Sequence, residues 1–337
     1  MTAIDPSKPV DVVALGAAIV DALASVEDGF LVEHDVAKGA MTLVDHARAE
    51  AVHRGVREAR EISGGSAANT VAGLASLGAR VAFVGKIKED AAGGLFREDI
   101  RRIGVAFDTA PFAANAPGAT ARCLVLVTPD AQRSMLTDLG VSGLLTVDDL
   151  PIETLAQAKI VYLEGYLWDH VETKRAFSAA AAAAKEAGGA VALTLSDAFC
   201  VDRHRDSFKE LVANQVDILF ANEAEILSLY ETDDFSAAAA AAARDAPIAV
   251  ITRSEKGCVV LSDGERHDVA AAPIGALVDT TGAGDLFAAG FLFGLVRGAD
   301  LQTCGRMGCL AASEVIQHLG ARPEINLKAL FEEHGLG

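Results

Sequence analysis

Short apolar runs alternate with alanine-rich stretches of helical spacing along most of the chain. The runs at 10–15, 81–84, 160–163, 190–195, 218–221, 248–252 and 258–262 predict strands. The stretches at 67–77, 93–103, 171–187, 208–214, 224–229 and 235–243 predict helices between them. Such alternation predicts parallel strands joined by crossover helices, with both sheet faces covered. Farther on, 285–297 and 301–317 predict two adjacent buried helices. Two regions break the rhythm. Residues 22–62 open on alternating apolar and polar positions and carry Gly29, Gly39 and Met41-Thr42-Leu43. Residues 112–138 contain the run from Ala121 to Val127 and then the turn Thr128-Pro129-Asp130. Both predict antiparallel strands outside the main sheet, forming a small lid inserted into an α/β body.

Composition narrows the function. The chain has 337 residues, 51% of them hydrophobic, enough for a large core and about two domains. A net charge of −18 opposes nonspecific binding to nucleic acid or an anionic membrane, while leaving room for a local anion pocket. The opening residues carry Asp5, Pro6, Lys8 and Pro9 rather than an apolar core, so no secretory signal is expected. No run approaches the roughly 18 uncharged apolar residues of a membrane span. Five cysteines, without a CxxC pair, predict neither zinc nor a disulfide framework and suit a reducing cytoplasm. None of the eight histidines has metal-ligand spacing with another.

Two segments carry the chemistry. The first is Asp279-Thr280-Thr281-Gly282-Ala283-Gly284-Asp285, followed by an apolar helix. Small residues at Gly282, Ala283 and Gly284 permit a sharp turn and leave amides unobstructed at a positive helix end, which suits phosphate oxygens. Asp285 falls in that first turn, where a carboxylate can take a proton from an attacking hydroxyl or merely complement the dipole. The second segment is Ser63-Gly64-Gly65-Ser66-Ala67-Ala68-Asn69. Its glycines allow close approach of a ligand and Asn69 offers a donor and an acceptor, although a tight turn with Ser66 as helix N-cap fits equally. Asp21, after the first strand, reads as a ligand or a turn residue. Asn222 and Glu225 read as ligands or as a capped helix start, and Arg133 as a ligand or a solvated charge. The chain has no P-loop pattern, no G-x-G-x-x-G after its first strand and no G-x-S-x-G.

These two segments, at opposite ends of the chain, resemble the signatures of the ribokinase-like carbohydrate and nucleoside kinases, the PfkB family. The resemblance implies a ribokinase-like three-layer α/β/α fold with a mainly parallel central sheet and a small β-sheet lid. It also implies a large nucleotide-binding and catalytic domain (1–21, 46–111, 139–337) with a lid (22–45, 112–138). By the same resemblance Asp285 is the catalytic base, and Gly282, Ala283 and Gly284 form the anion hole. Asp21, Gly64, Gly65, Asn69 and Arg133 hold the acceptor. Asn222, Glu225, Thr252, Gly257 and Gly320 serve ATP. Glu225 organises Mg2+ through water, and Asp279 and Thr281 belong to a loop that binds K+ in many members. Ser254 stands where the family usually has a glycine, and Ala289 replaces another.

The implied activity is phosphoryl transfer from MgATP to a primary hydroxyl, in a cytoplasmic enzyme that is a monomer or homodimer. The segment from Asp130 to Met135, the run Gly16 to Asp21 and the stretch before Gly320 look more like the adenosine-kinase branch than the short ribokinases. Adenosine is therefore the expected acceptor, ahead of ribose, fructose or 2-keto-3-deoxygluconate. Leu136, Leu139 and Trp168 are candidates for the base slot, or for core. A catalytically silent ligand sensor on the same scaffold is the competing class.

Overall fold

The structure, a computed structural model, describes residues 4–130 and 132–337. Residues 1–3, in the opening segment, and Ala131 lie outside them. In chain order the strands are β1 (Val10–Leu15), β2 (Ile19–Ser25), β3 (Met41–Leu43), β4 (Arg60–Gly64), β5 (Val81–Val84), β6 (Ala121–Val127) and β7 (Arg133–Asp138). Then follow β8 (Ala158–Glu164), β9 (Ala190–Thr194), β10 (Ile218–Asn222), β11 (Ile248–Thr252), β12 (Cys258–Ser262) and β13 (Glu265–Val269). The helices are α1 (Asp28–Glu33), α2 (His46–His53), α3 (Ser66–Ser76), α4 (Ala91–Arg102), α5 (Ile152–Ala156) and α6 (Val171–Glu186). They continue with α7 (Ala198–Gln215), α8 (Glu223–Tyr230), α9 (Phe235–Asp245), α10 (Ala283–Val296), α11 (Leu301–Val315) and α12 (Leu327–Glu333).

Eight strands form the main sheet in the order β13-β12-β11-β10-β9-β8-β1-β5, parallel except where β12 meets β11 and β13. The pleat sends alternate residues of each strand to opposite faces. Val12 and Ala14 of β1 pack with Leu74, Phe96 and Phe291 from α3, α4 and α10. Val13 and Leu15 pack with Phe177 and Phe208 from α6 and α7. This makes the three-layer α/β/α sandwich. Among the described residues no helix is long and apolar enough to cross a membrane.

A second sheet stands apart, in the order β3-β7-β6-β2-β4. It is mixed rather than antiparallel: β2 runs parallel to β6, and β3 to β7. It also draws β2 from Ile19 and β4 from 60–64, beyond the expected lid segments. The short α1 and α2, unanticipated in a region read as strands, cover one of its faces through Leu31 and Val52. The other face, with Ile19, Ala121, Cys123 and Val125, carries Leu23, Val127 and Met135 as partly buried neighbours. Helix α7 starts ten residues before its expected limit, because charges from Asp202 to Asp206 hide the apolar period there.

Most helices begin at a side chain that caps them. Asp90, Asp197 and Asp300 each accept the N–H three residues on. In α3 and α10 a glycine with positive φ stands at that place instead, Gly65 at 98° and Gly282 at 78°. Neither helix then has an N-cap side chain of its own to cover first-turn amides.

Candidate active site

Helices α3 and α10 approach each other closely. A Cβ on Gly73 would lie 2.7 Å from Leu286 Cδ1 and 2.8 Å from the Ala289 methyl. Asn69 is one turn before Gly73, and Asp285 is one turn before Ala289. The close contact therefore sets these two side chains side by side. Asn69 Nδ2 donates to Asp285 Oδ2 at 3.0 Å, and Ser66 Oγ donates to Asp285 Oδ1 at 2.6 Å. Ser66 is thus not the N-cap of α3: Gly65 takes that place and frees the hydroxyl for the carboxylate. Burial raises the Asp285 carboxyl above its ordinary range, opposed by Ser66, Asn69 and the nearby Arg322 charge.

The loop before α10 is braced from three sides. Asp279 accepts from Thr281 N at 3.0 Å and from Gly320 N at 2.9 Å. Arg133, reaching across from β7, pairs with Asp279 at 2.5 Å and donates to Thr281 Oγ1 at 3.0 Å. Arg133 is therefore no solvated charge. It joins the second sheet to this loop, and burial lowers its pKa. The Asp279 carboxylate, which with Thr281 was the expected K+ loop, faces two amides and a guanidinium. Ala283 N–H is itself engaged by Thr280 O at 3.2 Å, so the open amides expected at the helix end belong to Gly284 and Asp285. Around Gly284 nothing would meet a Cβ within 4 Å, whereas Gly282 packs on Ala321.

The expected acceptor residues begin with a carboxylate. Asp21 lies on β2 opposite Ile62 and Cys123. A Cβ on Gly64 would fall 2.1 Å from its Oδ2, so any larger residue there would displace the Asp21 carboxyl. Burial pushes Asp21 up to about 7; Asp285 adds to this, while Arg322 and Arg133 oppose it. Burial, with Asp21 beside it, pushes the Cys123 thiol up to about 12. Gly65 packs its backbone on Ala17 O.

Three participants escaped the sequence reading. Glu164, fully buried at the end of β8, accepts from Ala17 N at 3.2 Å and Ala67 N at 2.8 Å, and burial pushes it up to about 7. A charge directly after the uncharged run 160–163 was the available signal. Arg322 donates from Nε to Asn69 Oδ1 at 2.8 Å and from Nη2 to Ser63 Oγ at 3.1 Å. It immediately follows Gly320-Ala321. Ser66 was read only as a cap.

Asn222 and Glu225, the expected ATP-side pair, form a reciprocal capping box at the start of α8. Glu225 accepts from Asn222 Nδ2 at 2.6 Å and Asn222 N at 2.9 Å, and burial raises it to about 7. Among the described residues no group of three or more His, Cys, Asp or Glu could hold a metal. Both Glu225 oxygens already accept from Asn222, an arrangement that suits a magnesium ion held mainly by phosphate and water. Thr252 ends β11, and Gly257 has φ 82° where a Cβ would strike Val269 O. Ser254 adopts φ 52°, the left-handed conformation that a glycine takes without strain. Gly320, at φ 108°, gives its amide to Asp279.

Two candidates for the base slot lie elsewhere. Trp168 is core: it packs against Phe177 and Phe208 and donates to Ser207 Oγ at 2.8 Å. Leu136 points to the face of the second sheet covered by α1 and α2. Strand alternation decides this, since Met135 and Thr137 take the other face.

The chain matches the pfkB family of carbohydrate kinases over residues 36–327. It is similar to a probable sugar kinase protein from Rhizobium etli CFN 42, with 45% identity, TM-score 0.91, and 98% of this chain and 100% of that one covered. The adenosine kinase from Sinorhizobium meliloti is 46% identical, with TM-score 0.89 and coverage of 96% and 99%. An adenosine kinase of Saccharomyces cerevisiae is 28% identical over 331 residues, 91% of this chain and 95% of its own.

Proposed function

We propose, for a chain that belongs to the pfkB carbohydrate kinase family, that it transfers the γ-phosphoryl of ATP to a primary hydroxyl of a nucleoside, adenosine foremost. The observation that carries this reading is the Asp285 carboxylate, held by Ser66 and Asn69 in the first turn of a glycine-capped helix. Asp285 takes the hydroxyl proton as the acceptor oxygen bonds to the γ-phosphorus, and the bond to the bridging oxygen breaks to release ADP. The Gly284 and Asp285 amides face the charge on the transferring group, where losing one such donor raises the barrier by roughly 3–4 kcal/mol. Asp21 and Asn69 orient the acceptor hydroxyls. Mg2+ neutralises the phosphates when bound, and Asn222 and Glu225 order its water.

A nucleoside is favoured over a free sugar by the apolar side chains Leu23, Val127 and Met135 on the open face of the second sheet, which suit a planar base. A sugar acceptor is the second reading, supported by similarity to the Rhizobium etli protein. One acceptor panel at fixed MgATP separates them: adenosine, inosine, ribose, fructose and 2-keto-3-deoxygluconate, read by ADP release. The highest kcat/KM is expected for adenosine. A sugar with the highest value would move the assignment to the second reading. Ligand binding without turnover on any acceptor would leave a sensor.

A further inference from the structure

We propose that Arg322 is a positioning residue for phosphoryl transfer, holding the Asn69 amide in the one orientation that donates to Asp285. This rests on the kinase reading above and adds a residue to it.

An asparagine amide has two ends of similar shape, one accepting and one donating. Arg322 can only donate. With its Nε 2.8 Å from Asn69 Oδ1, the oxygen end is committed and the Nδ2 end must face Asp285, 3.0 Å away. A flipped amide would set oxygen against carboxylate. The guanidinium is itself fixed: Nη2 donates to Ser63 Oγ at 3.1 Å, and Ser63 donates from N and Oγ to Asp99 Oδ2 at 3.0 and 2.6 Å. A chain of side chains thus runs from Asp99 on α4, through Ser63 on β4 and Arg322, to Asn69 on α3 and Asp285 on α10.

Charge adds a second effect. Asp99, Asp21 and Asp285 surround Arg322, with Arg102 behind Asp99. Burial lowers the guanidinium to about 10, against the pull of those three carboxylates. Asp285 in turn faces Arg322, and it is felt by Asp21, Glu164, Tyr162 and Tyr166. Arg322 is the cation that offsets this negative cluster from below, as Arg133 opposes it at Asp21 from the second sheet. Without Arg322 both Asp285 and Asp21 hold their protons to higher pH.

The test uses the full chain with its best acceptor. Arg322→Met keeps an unbranched stem and removes charge and donors. Arg322→Lys keeps charge but cannot serve Asn69 and Ser63 as a fork. Arg322→Met should lower kcat on the order of 10- to 100-fold, the cost of a misplaced reacting group. It should also move the acid limb of the kcat/KM profile up by roughly one pH unit. Arg322→Lys should hold the limb near its wild-type position while kcat still falls. In an Asn69→Ala background Arg322→Met should lower kcat little further. Wild-type kcat and limb in Arg322→Met, or an equal loss in both backgrounds, would overturn the inference. Should Arg322→Met fail to melt cooperatively, the Lys variant decides, and an unaltered kcat there counts against the proposal. A wild-type chain that phosphorylates nothing in the panel removes reading and inference together. An active enzyme indifferent to Arg322 removes the inference alone.

Discussion

Asp285 and Asp21 are chemically alike and differ in surroundings. Asp285 accepts from Ser66 and Asn69, whereas Asp21 is held mainly by the opposing charges of Arg322 and Arg133. Asp285→Asn keeps the volume and removes the proton acceptor, so kcat should fall by ~10²–10⁴ while ATP binding persists. Single-turnover kinetics beside ATP titration check this, and near-normal turnover would exclude Asp285 as the base. Asp21 carries a pH signature. Its carboxyl moves from an ordinary 3.8 up to about 7 in the fold, so the folded chain binds the extra proton between those values. The stability it contributes is full below the lower value and is lost as pH rises through the upper one. Asp21→Asn removes that slope. Its melting temperature relative to wild type should therefore be higher at pH 8 than at pH 5, and a difference independent of pH would contradict the burial account.

The α3–α10 pair is the element that turns two separate motifs into one site. Both helices were legible from apolar spacing, and both glycine-rich entries from local sequence. The side-by-side setting of Asn69 and Asp285 was not, because it depends on the small contact at Gly73. Gly73→Val should force the helices apart, costing about 1–3 kcal/mol of stability from overpacking. It should also lower kcat more than its loss of stability explains, since the Asn69–Asp285 bond stretches first. Urea unfolding and kcat measured on one preparation test both parts; full kcat in a destabilised variant would show the spacing to be unimportant. The capping box at Asn222 and Glu225 illustrates the reverse case, where local sequence alone anticipated the arrangement found.

At the scale of the molecule, Arg133 joins the second sheet to the α/β body, tying β7 to the loop at Asp279 and Thr281. Arg133→Ala should loosen that closure and admit water to the site. ADP released without acceptor should rise relative to acceptor phosphorylated, and kcat/KM should fall by roughly tenfold or more, as for a lost charged hydrogen bond. Parallel assays with and without acceptor read the ratio, and an unchanged ratio would show that Arg133 plays no part in closure. The second sheet was foreseen as a lid, but its parallel pairings and its two covering helices were not. Strand order depends on which distant segments meet, and α1 and α2 are too short for periodicity to mark.

From sequence alone came the strand–helix alternation, the glycine turns and the carboxylate beside them, because each is written in residues a few positions apart. The contacts that assemble the site join residues far apart in the chain: Ser66 with Asp285 across 219 positions, Asn69 with Arg322 across 253. Burial and field at a carboxylate sum over every segment packed around it. Whether Asp21, Glu164 and Asp285 hold or release a proton was therefore decided only when the fold closed.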